Sequence, residues 1–435
     1  MRRSSPPGFD GALTRREFLK AGSALAVAGS LGGCASMSAA SAPRVVVVGG
    51  GYAGATCARY LRMWSDNKLE VTLVERNESF VSCPLSNLVL GGSKDIADLT
   101  VRYGNLHRNH GVTLVTDDAV AIDPAQRQIR LATGAVLRYD KLVVAPGVDM
   151  MYDAIPGLNN DDAQRRVLHA WKAGEQTVQL RRQLEQMPNG GVFVIHIPKA
   201  PYRCPPGPYE RACQVAWYFR NRKPRSKVLI LDANDDVQSK KALFMAAWNG
   251  PYQGLIEYKP NSTLLDVDLA GSTAKLEFED VKYDVLNVIP PQRAGAIARE
   301  AGMANANGRY CQVDFRTFES TAQPHIHVLG DAIQPAPAMP KSGHMANQHA
   351  KVAAGAIVAM LSGQPVVQEP VVANTCYSFI DDKTAVHVSS VHRYNPEHKT
   401  MEAVPGSGGL SPAPSAVEAE YAFAWARNIW SDMLG

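Results

Sequence analysis

The first strongly patterned part of the chain alternates between strand-like and helix-like segments. A run of branched apolar residues at 44–48 predicts a buried parallel strand. Glycines follow at 49–51 and 54, and residues 55–63 favour a helix. Residues 70–74 predict a second strand, which ends at Glu75. This order predicts a strand–helix–strand unit and therefore a parallel sheet.

The turn of this unit has glycines in the spacing G-x-G-x-x-G, at Gly49, Gly51 and Gly54. Glycine permits a tight turn and the close approach of a pyrophosphate to the helix N-terminus. Glu75 follows about 20 residues later, where an acid accepts hydrogen bonds from ribose hydroxyls. In this context the motif predicts a dinucleotide site rather than a structural glycine turn.

Two later segments each combine a strand with a turn, at residues 139–147 and 325–332. With the glycine motif, they resemble the FAD domain of the two-dinucleotide-domain disulfide reductase superfamily. The resemblance implies that the dinucleotide is FAD. The residues that it assigns to the flavin are Ala145, Gly147, Gly330 and Asp331, the last at the ribityl–phosphate region, and those that it assigns to the adenosine are Arg76 and the backbone near Ala119.

The interval between these segments should hold a second nucleotide-type domain. Residues 190–198 and 227–232 predict two of its strands. A homologue that binds nicotinamide would have a second glycine-rich turn after the first of them, but residues 201–210 contain four prolines and bulky side chains. The sequence therefore predicts that NAD(P)H is not the reductant.

The predicted fold is α/β, with two Rossmann-like nucleotide-binding domains and a smaller C-terminal domain. The NAD-like domain is degenerate and inserted into the FAD domain. The predicted boundaries are residues 1–41 for an export signal, 42–154 and 286–360 for the FAD-binding domain, 155–285 for the NAD-like domain, and 361–435 for a C-terminal interface domain.

Composition and charge narrow the class of protein. The 435 residues are 46% hydrophobic and 20% charged, which excludes a disordered or fibrous chain. The net charge is +4, but residues 1–41 contribute five basic and two acidic side chains, so the remainder is close to neutral. Nucleic acid is therefore not an expected partner.

The N-terminal residues have the pattern of a targeting signal. Arg15 and Arg16 are followed by Phe-Leu-Lys and by an apolar stretch at 21–33 that is too short to span a membrane. The pattern resembles a twin-arginine export signal, and an ordinary secretory leader is the alternative. We expect cleavage near residues 39–42 and a periplasmic protein.

Six cysteines follow this signal. None precedes a histidine and none forms a C-x-x-C pair, so we expect no haem attached to this chain and no metal site. Cys204 lies before a predicted helix, whose N-terminus should lower the pKa of its thiol. Free cysteines are often buried as small apolar groups, and that interpretation is favoured for Cys57, Cys213 and Cys311. Residues 240–241, two adjacent lysines, predict a solvated face.

Three separated motifs sharpen the resemblance: CPLSN at 83–87, RCPPGPYE at 203–210 and MPKSG at 339–343. From about Arg44 to the C-terminus, the chain resembles the flavoprotein subunit of flavocytochrome c sulfide dehydrogenase. The resemblance implies FAD bound covalently through Cys83, with Lys341 near the flavin pyrimidine. It also implies a redox-active Cys204–Cys376 disulfide beside Glu210 as proton acceptor. Sulfide would be oxidised to sulfur or polysulfide, and a c-type cytochrome subunit would take the electrons.

Two alternatives remain open. Sulfide:quinone oxidoreductase shares the fold, the flavin and the cysteine chemistry, and the apolar residues 422–434 suit a membrane-facing segment. That segment has only one basic residue, Arg427, so we do not expect membrane association. A non-catalytic sulfur carrier is the other alternative, with Cys204 and Cys376 as a structural disulfide worth about 4–5 kcal/mol by loop entropy.

Overall fold

A seven-stranded sheet forms the first layer of the computed structural model, which describes residues 42–435. Five strands are parallel, and an antiparallel hairpin closes one edge. The branched run at 44–48 lies at its centre because each of its valines is buried on both faces. In spatial order the strands are Val313–Asp314, Glu319–Ser320, Ile326–Val328, Lys141–Val144, Arg44–Val48, Glu70–Glu75 and Thr113–Thr116.

A second, wholly parallel sheet has four strands and its own hydrophobic core. In spatial order these strands are Ile256–Lys259, Lys227–Asp232, Val192–Ile197 and Val285–Val288. The fold prediction is thus confirmed, because two parallel Rossmann-like sheets with helices and a smaller C-terminal layer are present.

The C-terminal layer is an antiparallel sheet of Val371–Phe379, Ala385–Asn395, Thr400–Ala403 and Gly409–Leu410. It packs against the helices Gly343–Leu361 and Ala416–Leu434. Strand Val371–Phe379 also contacts helix Gly207–Arg222 of the second layer. The C-terminal layer therefore touches both nucleotide-type layers.

The remaining elements are short. The other α-helices are Tyr52–Trp64, Ser86–Gly91, Gly104–His110, Asp161–Arg166, Glu175–Gln186, Lys241–Asn249 and Ala296–Glu300. The 3-10 helices are Ile96–Leu99, Tyr152–Ala154, Pro156–Leu158 and Gly330–Ala332. The small sheets are Ser79–Val81 with Thr100–Arg102; Ala119–Asp123, Gln128–Leu131 and Val136–Arg138; Val148–Met150 with Gln292–Ala294; and Leu264–Asp268, Thr273–Leu276 and Asp280–Lys282.

Three predictions concern the buried cysteines, the membrane and the N-terminal signal. Cys57, Cys213 and Cys311 are fully buried among apolar side chains, as predicted. Within residues 42–435, none of the helices combines the length and apolar character that crossing a membrane requires. The predicted twin-arginine signal at 1–41 lies outside the described residues.

Candidate functional site

A cavity of about 530 Å³ opens at the carboxyl ends of the first sheet's strands, where ligands bind in open α/β sheets. All three layers contribute to its wall. Of the predicted site residues, it is lined by Gly51, Glu75, Cys83, Ala145, Gly147, Cys204, Glu210, Gly330, Asp331, Lys341 and Cys376. Predicted flavin residues and predicted sulfur residues thus share one cavity.

The glycine turn has the shape that a dinucleotide requires. Gly49 has a φ of +95°, and a Cβ there would stand 2.4 Å from the carbonyl oxygen of Ala145. A Cβ on Gly54 would stand 1.7 Å from the Gly49 oxygen. Gly51 faces open space, and the Gly50 N–H donates to Glu75 Oε2 at 2.7 Å. Only glycines permit this backbone approach, which leaves the helix N-terminus free for a phosphate.

Asp331 provides an independent test of fit for a flavin nucleotide. Its Oδ1 is buried and lacks a hydrogen-bond partner within residues 42–435, although its Oδ2 lies 4.0 Å from the Arg203 guanidinium. A buried acceptor without a donor is costly, so this oxygen suits a ligand hydroxyl. The cavity residues therefore fit the predicted FAD.

Lys341 lies beside this aspartate with its amino group turned to backbone oxygens. Its Nζ donates to Asp331 O at 2.8 Å and to Ile333 O at 2.5 Å, and it stands 3.7 Å from the ring centre of Tyr310. Burial lowers the Lys341 pKa to about 7. The Lys341 ammonium group can therefore lose a proton near neutral pH.

Four predicted cofactor residues do not line the cavity. Gly49 and Gly54 lie in the glycine turn, where they pack against the backbone of Ala145 and against each other. Arg76 is largely exposed and forms an ion pair with Asp118 at 2.7 Å, and Ala119 begins the strand Ala119–Asp123. The last two residues remain predictions for the adenosine end.

Cys83 lies in the cavity wall against residues 171–173. Its Sγ accepts the Ala173 N–H at 3.4 Å and lies 3.8 Å from Trp171 O. Burial lowers the pKa of Arg203, but Cys83 and Asp331 outweigh it and leave that pKa raised. Arg203 therefore faces both the Cys83 thiol and the Asp331 carboxylate.

The two predicted redox cysteines enter the cavity from different layers and are held as free thiols. Cys204, from the second layer, has a φ of +56°, and its N–H donates to Lys341 O at 2.8 Å. Cys376, from strand Val371–Phe379, has its Sγ 3.5 Å from the Asn374 amide. A Cβ on Gly207 would stand 2.9 Å from Cys204 Sγ, so the glycine leaves room for the sulfur.

Glu210 is buried in the first turn of helix Gly207–Arg222. Its Oε1 accepts the Phe379 N–H at 2.8 Å, and its Oε2 accepts Asn87 Nδ2 at 2.9 Å. Burial raises the Glu210 pKa although both hydrogen bonds and the cations of Lys240 and Arg211 oppose the change. A raised pKa suits the role of proton acceptor that the resemblance implies for Glu210.

The prediction of a lowered Cys204 pKa is wrong. Burial raises the pKa of this thiol, and the charges of Cys376 and Glu210 raise it further. Arg203 and Lys240 act in the opposite direction without reversing the result. Because the helix begins only at Gly207, its N-terminus does not compensate for the loss of water around the sulfur.

Several residues of the cavity wall were not predicted from the sequence, and one lysine that was predicted to be exposed is buried. The prediction of a solvated face holds for Lys241 but is wrong for Lys240, which is 5% exposed and whose Nζ donates to Cys376 O. Two adjacent lysines give no local signal that one is buried. Trp171, His344 and Trp425 also line the cavity, and no motif identified them.

A second cavity, of about 400 Å³, lies at the carboxyl ends of the second sheet's strands and is lined in part by Pro198, Ala233 and Asn261. The acidic side chain at this edge is bound by the protein's own side chains. Asp232 ends the strand Lys227–Asp232, where a nucleotide-binding homologue would hold a ribose. Its Oδ2 instead accepts the hydroxyls of Tyr209 at 2.7 Å and Tyr258 at 3.2 Å. Asp232 is thus engaged within the protein, and the loss of the NAD(P)H site stays a prediction.

Three family models match successive parts of the chain. Residues 43–186 match "Pyridine nucleotide-disulphide oxidoreductase". Residues 177–290 match "Sulfide dehydrogenase [flavocytochrome c] flavoprotein chain, central", and residues 368–434 match "Flavocytochrome c sulphide dehydrogenase, flavin-binding". The glycine turn, the second layer and the C-terminal layer therefore each have a counterpart in known families.

Individual proteins agree with these matches. The sulfide dehydrogenase flavoprotein chain of Chlorobaculum thiosulfatiphilum is 59% identical over 46 residues, which are 11% of this chain and 94% of that sequence. The mitochondrial sulfide:quinone oxidoreductase of Dictyostelium discoideum is 25% identical over 307 residues, which cover 66% of this chain and 65% of the relative's length. The solved sulfide:quinone oxidoreductase of Aquifex aeolicus has a TM-score of 0.74 at 18% identity, over 90% of this chain and 92% of that one, and shows the shared fold.

Proposed function

Because the chain belongs to the flavoprotein subunits of flavocytochrome c sulfide dehydrogenase, we propose that it oxidises sulfide to sulfur or polysulfide through a Cys204–Cys376 disulfide and FAD. A c-type cytochrome subunit would accept the electrons. One observation carries the proposal: two cysteines from different layers and a buried glutamate meet in the cavity that the glycine turn and Asp331 border.

The first sheet supplies the residues that would hold FAD. Gly49, Gly51 and Gly54 would shape the pyrophosphate site, and Glu75 would accept ribose hydroxyls. Asp331 Oδ1, which lacks a partner among residues 42–435, would accept a ribityl hydroxyl. Bound FAD supplies an acceptor that takes an electron pair and releases electrons singly. The proposed covalent bond through Cys83 is supported by the position of that thiol in the cavity wall beside Arg203.

The cysteines carry the sulfur chemistry. Hydrosulfide attacks one sulfur of the disulfide, so that a persulfide forms, the Cys–Cys bond breaks and a thiolate is released. A second hydrosulfide removes the outer sulfur as hydrogen disulfide and leaves a second thiolate. The two thiolates then lose an electron pair and re-form the disulfide. The balance is two hydrosulfide ions to one hydrogen disulfide and two electrons, and either cysteine satisfies it.

Glu210 handles the proton. Its carboxylate is enclosed by the Phe379 N–H and Asn87, within the same cavity wall as Cys204. Because burial raises its pKa, it accepts a proton from an incoming sulfur species more readily than an exposed glutamate. This step precedes the attack when the incoming species is neutral hydrogen sulfide: its proton passes to Glu210, and the hydrosulfide that remains attacks the disulfide.

Anaerobic sulfide titration of the purified protein tests this function. We expect the flavin absorbance to bleach, and a c-type cytochrome to re-oxidise the flavin faster than a soluble quinone does. Failure to bleach, with the flavin still reducible by dithionite, would mean that the disulfide is structural and would favour the sulfur-carrier alternative.

Sulfide:quinone oxidoreductase is the second candidate because two relatives that align over 66% of this chain have that name. Helix Ala416–Leu434 brings Trp425 to the cavity and supplies apolar surface beside it. Faster re-oxidation by quinone than by cytochrome in the same titration would select this candidate.

We further propose that the protein is exported to the periplasm by the twin-arginine route. The motif at Arg15 and Arg16 supports the proposal. Cell fractionation tests it: the double substitution Arg15→Lys, Arg16→Lys should retain the protein in the cytoplasm. Unchanged export would contradict the proposed route.

A further inference from the structure

Lys240 connects the second layer to the C-terminal sheet through a buried side chain. It directly precedes helix Lys241–Asn249, and its φ is +56°. Its carbonyl oxygen accepts the N–H groups of Leu243 and Phe244 at 3.0 and 3.1 Å, which fixes the backbone. A non-glycine residue with this φ is uncommon. A lysine is rarely buried unless a carboxylate forms an ion pair with it. Its position therefore calls for a specific function.

The Lys240 amino group reaches the strand that carries Cys376. Its Nζ donates to Cys376 O at 2.7 Å, to Ser378 Oγ at 2.8 Å and to Val386 O at 3.5 Å. These acceptors are neutral, and within residues 42–435 no carboxylate lies close enough to form an ion pair with it. The titratable groups that face it are Cys376, Glu210, Cys204 and Glu418.

The charges around the cysteines do not cancel while the disulfide is closed. Arg203 is matched by Asp331 at 4.0 Å. Within the described residues, Arg211 is fully buried and donates only to neutral oxygens. Arg211 and Lys240 therefore share one fully buried carboxylate, that of Glu210, whereas Glu418, which also faces Lys240, is paired with His387 at 3.0 Å. A buried unmatched cation is costly. Opening the disulfide with hydrosulfide adds one negative charge and restores the balance.

We propose that Lys240 is a positioning residue whose cation stabilises the thiolate released from the Cys204–Cys376 pair and thereby makes the disulfide easier to reduce. The inference rests on the proposed function. Reduction breaks one S–S bond and consumes two electrons and one proton, giving one thiol and one thiolate. Hydrosulfide supplies the electrons during the reaction, and dithiothreitol supplies them in the experiment below.

The test compares the purified flavoprotein with its Lys240→Met, Lys240→Arg and Lys241→Met variants. Each is equilibrated with reduced and oxidised dithiothreitol at several pH values, then alkylated, and the peptides of Cys204 and Cys376 are quantified by mass spectrometry. For Lys240→Met we expect at least a tenfold shift of the equilibrium toward disulfide, equivalent to about 30 mV for a two-electron couple. We also expect thiolate formation to move to higher pH. Lys240→Arg retains the charge, and exposed Lys241 is the matched control, so both should remain within threefold of wild type.

The pH profile separates charge from structure. A Lys240→Met variant with a lower melting temperature but an unchanged potential and pH profile would show a structural role and overturn the inference. If that variant does not fold, Lys240→Gln replaces it, because its amide still donates to Cys376 O, and the same shifts are expected. A wild-type protein that forms no Cys204–Cys376 disulfide in any buffer would overturn both this inference and the proposed function. A normal disulfide in wild type with no shift in the neutral variants would overturn this inference alone.

Discussion

Replacing Glu210 with glutamine should separate catalysis from stability. Glutamine has nearly the same shape and still accepts the Phe379 N–H, but it does not take up a proton. A positioned general base contributes about 10²–10⁴-fold to rate. We therefore expect flavin reduction by sulfide to slow by about 10²-fold or more in Glu210→Gln, while dithionite reduces the flavin normally.

The same substitution should change stability little at neutral pH, because opposing effects act on it. The bond from the Phe379 N–H becomes a neutral one, a loss of about 1 kcal/mol, and the bond from Asn87 Nδ2 is lost because the glutamine Nε2 is also a donor, which costs about 1–3 kcal/mol. The substitution also removes a buried charge, whose desolvation costs several kcal/mol. Because burial raises the Glu210 pKa despite those hydrogen bonds, desolvation is the larger effect. The substitution also leaves the cations of Arg211 and Lys240 without this carboxylate, so we expect a melting temperature within a few degrees of that of wild type.

The sign of the pH dependence follows from the raised pKa. The contribution of Glu210 to stability is fully present below its unfolded pKa, near 4.5, and is lost as the pH rises through its folded pKa. Glu210→Gln should remove this part of the pH dependence. Stopped-flow anaerobic reduction and thermal melts over a pH series measure both effects, with exposed Glu185→Gln as control. A reduction rate within threefold of wild type, with the same pH profile, would refute the assignment of Glu210.

The remaining predictions concern the sulfurs and the flavin. Cys204→Ser and Cys376→Ser should each abolish bleaching by sulfide but not by dithionite, and full sulfide oxidation by either would contradict the mechanism. Gly54→Ala should prevent flavin retention during purification, because its Cβ would stand 1.7 Å from a backbone oxygen. Gly355→Ala is the control, since a Cβ there makes an ordinary contact at 3.5 Å, and normal flavin content in Gly54→Ala would contradict the site. Cys83→Ser should keep flavin in the native protein but release it on denaturation, measured by fluorescence of the denatured band, and a band still fluorescent would place the bond elsewhere.

Short-range patterns predicted the first sheet because there local preference and tertiary position agree. The valines at 45–48 are fully buried, and the glycine turn follows them directly. The burial of Lys240 was not predicted because its hydrogen-bond partners lie more than 130 positions away along the chain. They are Cys376, Ser378 and Val386. The direction of the Cys204 pKa was predicted wrongly because burial of the thiol has the larger effect. That burial results from the packing of three layers around the cavity, and the position of Cys204 before a helix does not indicate it.

The second layer explains how a nucleotide-type domain can act without a second nucleotide. Adjacent residues on helix Gly207–Arg222 point in different directions: Tyr209 donates to Asp232 at the former ribose position, and Glu210 lines the cavity. The tyrosine satisfies the buried aspartate that a ribose would otherwise satisfy. The prolines before the helix replace a phosphate-binding turn and bring Cys204 to the cavity. The domain that binds the nicotinamide nucleotide in related folds thus supplies, in the proposed reaction, a sulfur, a base and a buried cation. Electrons then enter from a small anion that needs no nucleotide site.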